Sequence, residues 1–356
     1  MNAVDATVDL DDGDGLLAAD RNGLLRAAAM AGAQVRSTAA ALAEGVLDSL
    51  RADNPPRTVI WVAGRGTAED AGAMLAGALG ASIAAPIVVA AETPPWLGAL
   101  DVVVVAGDDP GDPALVNAAA TGVRRGARVL IVAPHEGPLR DIAAGRAVVL
   151  APRLWVPDDF GLTRYLAAGL AALHIVDPGM RVDLAALADE LDAEALRNSP
   201  GRDLFTNPAK TLAERMSADA VVLAGDNPAT LALARHGATV MLRVAGEVVA
   251  AAGLGDVLAA IASGGAARPA TRSLFHDEEI DGPLPRRMRT FALITDTERQ
   301  LVGARVSGFD DITVIGAEDV PDQAGTPLPV GRPEQQLAVL AVRMEMTAVY
   351  LKLVRG

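Results

Sequence analysis

Short runs of β-branched residues, each closed by a glycine turn or a proline and followed by an alanine-rich stretch, constrain the fold of this chain more than any other feature. Thr58-Val59-Ile60-Trp61-Val62-Ala63 runs into Gly64-Arg65-Gly66-Thr67 and then into an alanine-rich segment reaching about Leu79. Pro86-Ile87-Val88-Val89-Ala90, Asp101-Val102-Val103-Val104-Val105 and residues 128–132 and 147–150 continue the pattern. Near-continuous apolar strings of this length are what strands buried on both faces require. Their alternation with helical stretches predicts a parallel, doubly wound α/β sheet. Hydrophobic residues make up 51% of the chain but aromatics only 3%, so its cores are aliphatic.

A length of 356 residues suits two domains rather than one. Residues 1–20, with Asp5, Asp9, Asp11, Asp12 and Asp14, read as a frayed acidic arm. Residues 21–156 form the first domain, opened by a long helix over 21–50 that Pro55 and Pro56 stop. Residues 157–216 show no strand and read as a helical connector, and residues 217–356 form the second domain. There the order of Asp219-Ala220-Val221-Val222-Leu223-Ala224, the turn Gly225-Asp226-Asn227-Pro228 and a helix to about His236 repeats that of 58–79, as a weak internal duplication. Further strands are expected at 239–243, 290–295 and 312–315, and a loop at 264–272. An amphipathic helix over 333–354 closes the chain, its Leu337, Leu340, Met344 and Leu351 needing a groove to lie in.

Lys plus Arg number 31 against 45 Asp plus Glu, a net charge of −14, which argues against a nucleic-acid surface built on clustered cations. Cysteine is absent, so disulfides, thiolate metal sites and cysteine nucleophiles are excluded. No apolar run reaches the roughly 18 residues of a membrane span, and the first residues are acidic where a signal peptide is basic; a cytoplasmic protein is expected.

Gly64-Arg65-Gly66-Thr67, between a buried strand and a helix, has the context in which backbone N–H groups meet an anion at a helix N-terminus. Arg65 could pair with a phosphate and the Thr67 hydroxyl could donate to it; the bland alternative is a βα turn that merely needs small residues. Glu69 stands where a dinucleotide fingerprint needs its third glycine, and no P-loop occurs, so NAD and ATP are disfavoured and no cofactor is expected. The loop 106–112, with Gly107 and Asp108, occupies a second position beyond the carboxyl end of a strand. Its three aspartates oppose a phosphate dianion, since two unit charges about 4 Å apart interact at roughly 4 kcal/mol for an effective dielectric of 20. Asp108 and Asp109 could bind Mg²⁺, but turn and cap roles are commoner and no metal is expected. His276, in Phe275-His276-Asp277-Glu278, could shuttle a proton, against the alternative of a polar surface turn. Glu247, after the expected strand at 239–243, could serve as a base.

Together these features resemble the sugar isomerase (SIS) family, specifically the bifunctional phosphoglucose/phosphomannose isomerases and, among them, the TobH-type proteins. The residues that carry the likeness are the leading helix, the turn ending at Thr67, the valine strand from Asp101, Asn207-Pro208-Ala209-Lys210-Thr211-Leu212-Ala213, and the helix over 335–351. The resemblance implies two SIS-type doubly wound parallel-sheet domains, flavodoxin-like three-layer sandwiches, joined by a helical connector and closed by the C-terminal helix. It implies a hexose phosphate or nucleotide-sugar ligand, and a proton moved between C1 and C2 of an open sugar without metal or cofactor. The family's Gly-Met-Gly-Gly-Ser turn corresponds to Gly64-Arg65-Gly66-Thr67. Its hydroxyl-rich phosphate loop falls on 106–112, where this chain offers Gly107, Asp108 and two further aspartates but no hydroxyl. The family's glutamate and histidine correspond to Glu247, without its flanking asparagines, and to His276. Two expectations result: a divergent phosphosugar-binding protein with little or no catalysis, or an isomerase interconverting fructose 6-phosphate with glucose or mannose 6-phosphate. The apolar faces of 21–50 and 333–354 make a homodimer an expectation of either.

Overall fold

A computed structural model describes residues 8–143, 145–217, 220–263, 288–319 and 331–355. Two parallel sheets organise it. In the first, β1 (Val59–Ala63), β2 (Ile87–Ala90), β3 (Val102–Ala106), β4 (Arg128–Val132) and β5 (Val148–Val149) lie in the order 2-1-3-4-5. In the second, β6 (Ala220–Gly225), β7 (Ala250–Gly253), β8 (Met288–Leu293) and β9 (Ile312–Ile315) lie in the order 7-6-8-9. Valine and isoleucine fill β1, β3 and β4 because these strands are covered on both faces, and every residue of β3 is buried. The strand order reverses between β1 and β3, and such a switch point is where the crevice of a doubly wound sheet opens.

β1 feeds α4 (Thr67–Leu79) and β6 feeds α10 (Pro228–Val240), and each of these strands lies second in its sheet, as the internal duplication predicts. The two helices pack on one another so closely that a Cβ on Gly77 would lie 2.6 Å from the backbone N of Ala229. Between the sheets the chain is helical, as expected: α7 (Leu162–Val176), α8 (Leu184–Arg197) and α9 (Pro208–Met216). The remaining helices of the first half that bear on the argument are α1 (Gly13–Ala19), α2 (Leu24–Ala28), α3 (Ala31–Ala43), α5 (Pro113–Arg124) and α6 (Gly137–Ala143). α11 (Leu254–Ala262), α12 (Asp296–Val306) and α13 (Pro333–Arg355) complete the second half.

Several expectations are corrected. The acidic arm is docked from residue 8 onward: Asp12 caps α1, Leu16 is fully buried, and an Asp11 carboxylate accepts the Leu204 N–H at 2.7 Å. The helix over 21–50 is broken into α2, α3 and a 3₁₀ turn, Asp48–Leu50, because Gly45 takes a left-handed φ of 77° that ends α3. Residues 239–243 are no strand. α10 runs through Thr239 and Val240 into a π turn, Met241–Ala245, because Asn227 and Thr230 form a capping box that starts the helix and burial against α4 and α13 outweighs the β-branched side chains. The strand of this region is β7, an alanine-rich run on the sheet edge.

The C-terminal helix is not amphipathic. α13 is buried almost all round, packing against α2, α4, α8, α9 and α10, with Arg343 and Glu345 paired inside the protein. Arg343 holds both oxygens of the buried Glu194 carboxylate and donates to the carbonyls of Gly316 and Ala317. The apolar faces that motivated a homodimer are thereby covered within the chain. Among the described residues no helix is long and apolar enough to cross a membrane.

Candidate functional site

At the switch point the loops after β1 and β3 nearly touch. A Cβ on Gly64 would lie 3.5 Å from the Gly107 Cα, and one on Gly107 would lie 2.6 Å from Leu115, so glycine at both ends lets the strands open together. Gly66, with φ of 80°, turns the chain into α4, and its carbonyl receives the Glu69 and Asp70 N–H groups. The first-turn amides of a helix lack intrahelical acceptors and carry the positive end of its dipole. The start of α4 borders a cavity of about 430 Å³, bounded by Gly64, Arg65, Gly66 and Thr67 on one side, by Asp108, Asp109 and Asp112 beside it, and by Asp158 and Asp159 at the entry to α7. Thr239, Val240 and Arg243 from the second half close it, so that both halves of the chain form its walls.

The charges of this cavity are sorted. Asp109 accepts the Gly111 N–H at 2.7 Å and Asp112 caps α5 through the Ala114 N–H at 2.8 Å, the turn and cap roles weighed against metal binding. Asp108 accepts from the Tyr165 hydroxyl at 2.7 Å and from Arg164, whose guanidinium lies 4.4 Å from the Tyr165 ring centroid. Burial, reinforced by Asp108, lifts the Tyr165 phenol far above its usual range and keeps it a proton donor. Arg243 pairs with Asp159. Burial raises the Asp158 carboxyl above its ordinary value, and the Asp108 charge adds to the effect. Arg65 is exposed at the mouth and has no ion-pair partner among the described residues.

Of the residues expected from sequence, Gly64, Arg65, Gly66, Thr67 and Asp108 line this one cavity, with Gly107 immediately behind. The Thr67 hydroxyl is turned to the Asp158 carbonyl, 3.3 Å away, and so holds the wall. Glu247 is not among the lining residues: it follows the π turn instead of a strand, its N–H donates to the Met241 carbonyl at 3.1 Å, and its carboxylate pairs with Arg355. His276 lies outside the described residues. Asp158, Asp159, Arg164 and Tyr165 went unrecognised in the sequence, although paired aspartates opening a helical segment were visible; Arg243 was hidden by the strand reading. Among the described residues no three His, Asp or Glu side chains converge as metal ligands would.

No protein-family model matches the chain, and no curated protein matches it in sequence. Solved structures do. Tagatose-6-phosphate ketose/aldose isomerase from Escherichia coli superposes with a TM-score of 0.62 at 15% identity, over 99% of this chain and 96% of that one. The C-terminal domain of glucosamine-fructose-6-phosphate aminotransferase from Francisella tularensis gives 0.61 at 11% identity, over 94% and 97% of the two chains. A glucose-6-phosphate isomerase like protein from Thermus thermophilus gives 0.51 at 19%, over 98% and 94%. At these identities the likeness is one of fold, and it extends over both sheets and the helices between them. The chain has the two-domain, parallel-sheet fold of the SIS phosphosugar isomerases.

Proposed function

We propose that this protein binds a hexose phosphate or a related phosphorylated carbohydrate in the cavity between its two halves, with little or no isomerase activity. The observation that carries this reading is the division of the cavity's charge. The Gly64–Thr67 side presents the start of α4 and the exposed Arg65, which has no ion-pair partner among the described residues, and together these suit a single anionic group. The opposite side presents Asp108, Asp158 and Asp159, acceptors for sugar hydroxyls that would repel a second phosphate. In this reading the phosphate sits on the first turn alone and the acidic 108–112 loop faces the sugar. The relatives' fold supports the ligand class, because the proteins that share it are named for ketose and aldose phosphates.

The weak-catalysis part rests on Glu247, which pairs with Arg355 outside the cavity. One observation favours the second reading, an aldose–ketose isomerase: Asp158 lines the cavity with its carboxyl raised, in reach of a role as proton carrier. Calorimetric titration with fructose, glucose and mannose 6-phosphates, alongside a turnover assay from fructose 6-phosphate, tests both. The expected outcome is saturable binding that Arg65→Ala weakens at least tenfold, without turnover. Turnover abolished by Asp158→Asn would establish the isomerase, and the absence of binding by all three sugars would overturn the proposal.

A further inference from the structure

A second cavity, of about 310 Å³, adjoins the first across Asp108 and Asp158, which line both. Its far wall is unlike anything in the first. Trp155, Leu154, Val156, Pro134 and Pro152 form an apolar rim at the carboxyl side of β4 and β5, and Arg164 and Gln34 face it from α7 and α3. Trp155 is 85% exposed, whereas Trp61 is buried with its indole N–H on the Ala68 carbonyl and Trp96 lies beneath Arg57. In a chain so poor in aromatics, a wide-open indole set over a cavity with two carboxylates and two guanidinium groups, Arg153 and Arg164, has the composition of a ligand subsite: a flat apolar platform with a few convergent polar groups.

We infer that this cavity is a second sugar-ring subsite, so that the preferred ligand is a disaccharide phosphate or larger glycoside phosphate rather than a monosaccharide phosphate. The inference rests on the first cavity taking a phosphorylated sugar. A pyranose has an apolar C–H face that covers an indole and equatorial hydroxyls that reach carboxylates, and Asp108 and Asp158 stand where the link between two rings would cross. The same two carboxylates decide against a nucleoside joined through a diphosphate. That linker would carry its negative charges past them, and both guanidinium groups lining this cavity are already committed, Arg164 to Asp108 and Arg153 to Glu44.

Equilibrium titrations with glucose 6-phosphate, trehalose 6-phosphate and UDP-glucose, read by calorimetry and by tryptophan fluorescence, test the inference. Trehalose 6-phosphate has no free anomeric carbon, so turnover cannot confuse its binding. It is expected to bind at least tenfold more tightly than glucose 6-phosphate and to blue-shift the emission. Trp155→Ala should cut that preference below threefold, and Trp155→Phe, which retains a ring, should restore part of it. Equal affinities for the two sugar phosphates would overturn the second subsite and leave the first cavity's ligand class standing. Binding of neither would sink both readings together. Tighter binding of UDP-glucose with the same fluorescence change would replace the second sugar by a nucleoside.

Discussion

Alkaline pH should loosen the joint between the two halves through one histidine. His236 on α10 is fully buried where α10 meets α4 and α13, its Nε2 3.0 Å from the Glu345 carboxylate and its Nδ1 3.8 Å from that of Asp70. Burial by itself would lower its pKa; the nearby charge of Asp70 and the hydrogen bond and charge of Glu345 overcome this and push it up to about 9. A histidine with its folded pKa above its unfolded value of 6.5 adds stability that is fully present below about pH 6.5 and is lost as pH rises through 9. At about 1.4 kcal/mol for each pH unit between those limits, the loss comes to about 3 kcal/mol, a large share of a stability of about 5–15 kcal/mol. Glu345, raised by burial against the pull of His236, gives up stability in the same sense as pH increases. Urea midpoints at pH 6.0, 7.5 and 9.0, for the wild type and for His236→Gln, measure the effect. The wild type should weaken steadily over this range while the variant, less stable at pH 6, changes far less. Equal losses in the two proteins, or no loss in the wild type, would refute the argument that the proton sits in this triad.

The close crossing of α4 and α10 predicts that Gly77→Ala, whose Cβ meets the Ala229 backbone, costs about 1–3 kcal/mol, seen as a lowered melting temperature. Arg343→Met should cost about 1–3 kcal/mol because it removes one of the two cations on the buried Glu194 carboxylate, which keeps Arg197 and Asn198, and adding Glu194→Met should recover part of the loss in chemical denaturation. Gly66→Ala forces a side chain onto a φ of 80° and should destabilise by about 1–3 kcal/mol, with weaker binding of glucose 6-phosphate by calorimetry. Recovery of wild-type melting in any of these single variants would contradict the packing on which it rests.

Much of this architecture is a property of local sequence. β1, β3, β4 and β9 coincide with their valine and isoleucine runs because a strand covered on both faces admits little else, and Pro333 opens α13 where a helix tolerates proline. The glycine turn 64–67 was legible for the same reason: Gly66 has a backbone conformation that a side chain would strain. Packing decided the rest. Thr239, Val240 and Arg243 look like a strand until α10 is seen buried against α4 and α13, and only that burial carries Arg243 to the cavity and leaves Glu247 with Arg355. The apolar spacing of 333–354 gave no sign that its charged residues would be buried too, since Glu194 and His236, which pair with Arg343 and Glu345, lie more than 100 positions away. Trp155 has no local signature at all, and the Asp158-Asp159 pair has none that ties it to the cavity. They matter because the sheet's switch point and the start of α7 bring them beside Asp108, and convergence between distant segments is set by tertiary packing rather than by the propensities of any one segment.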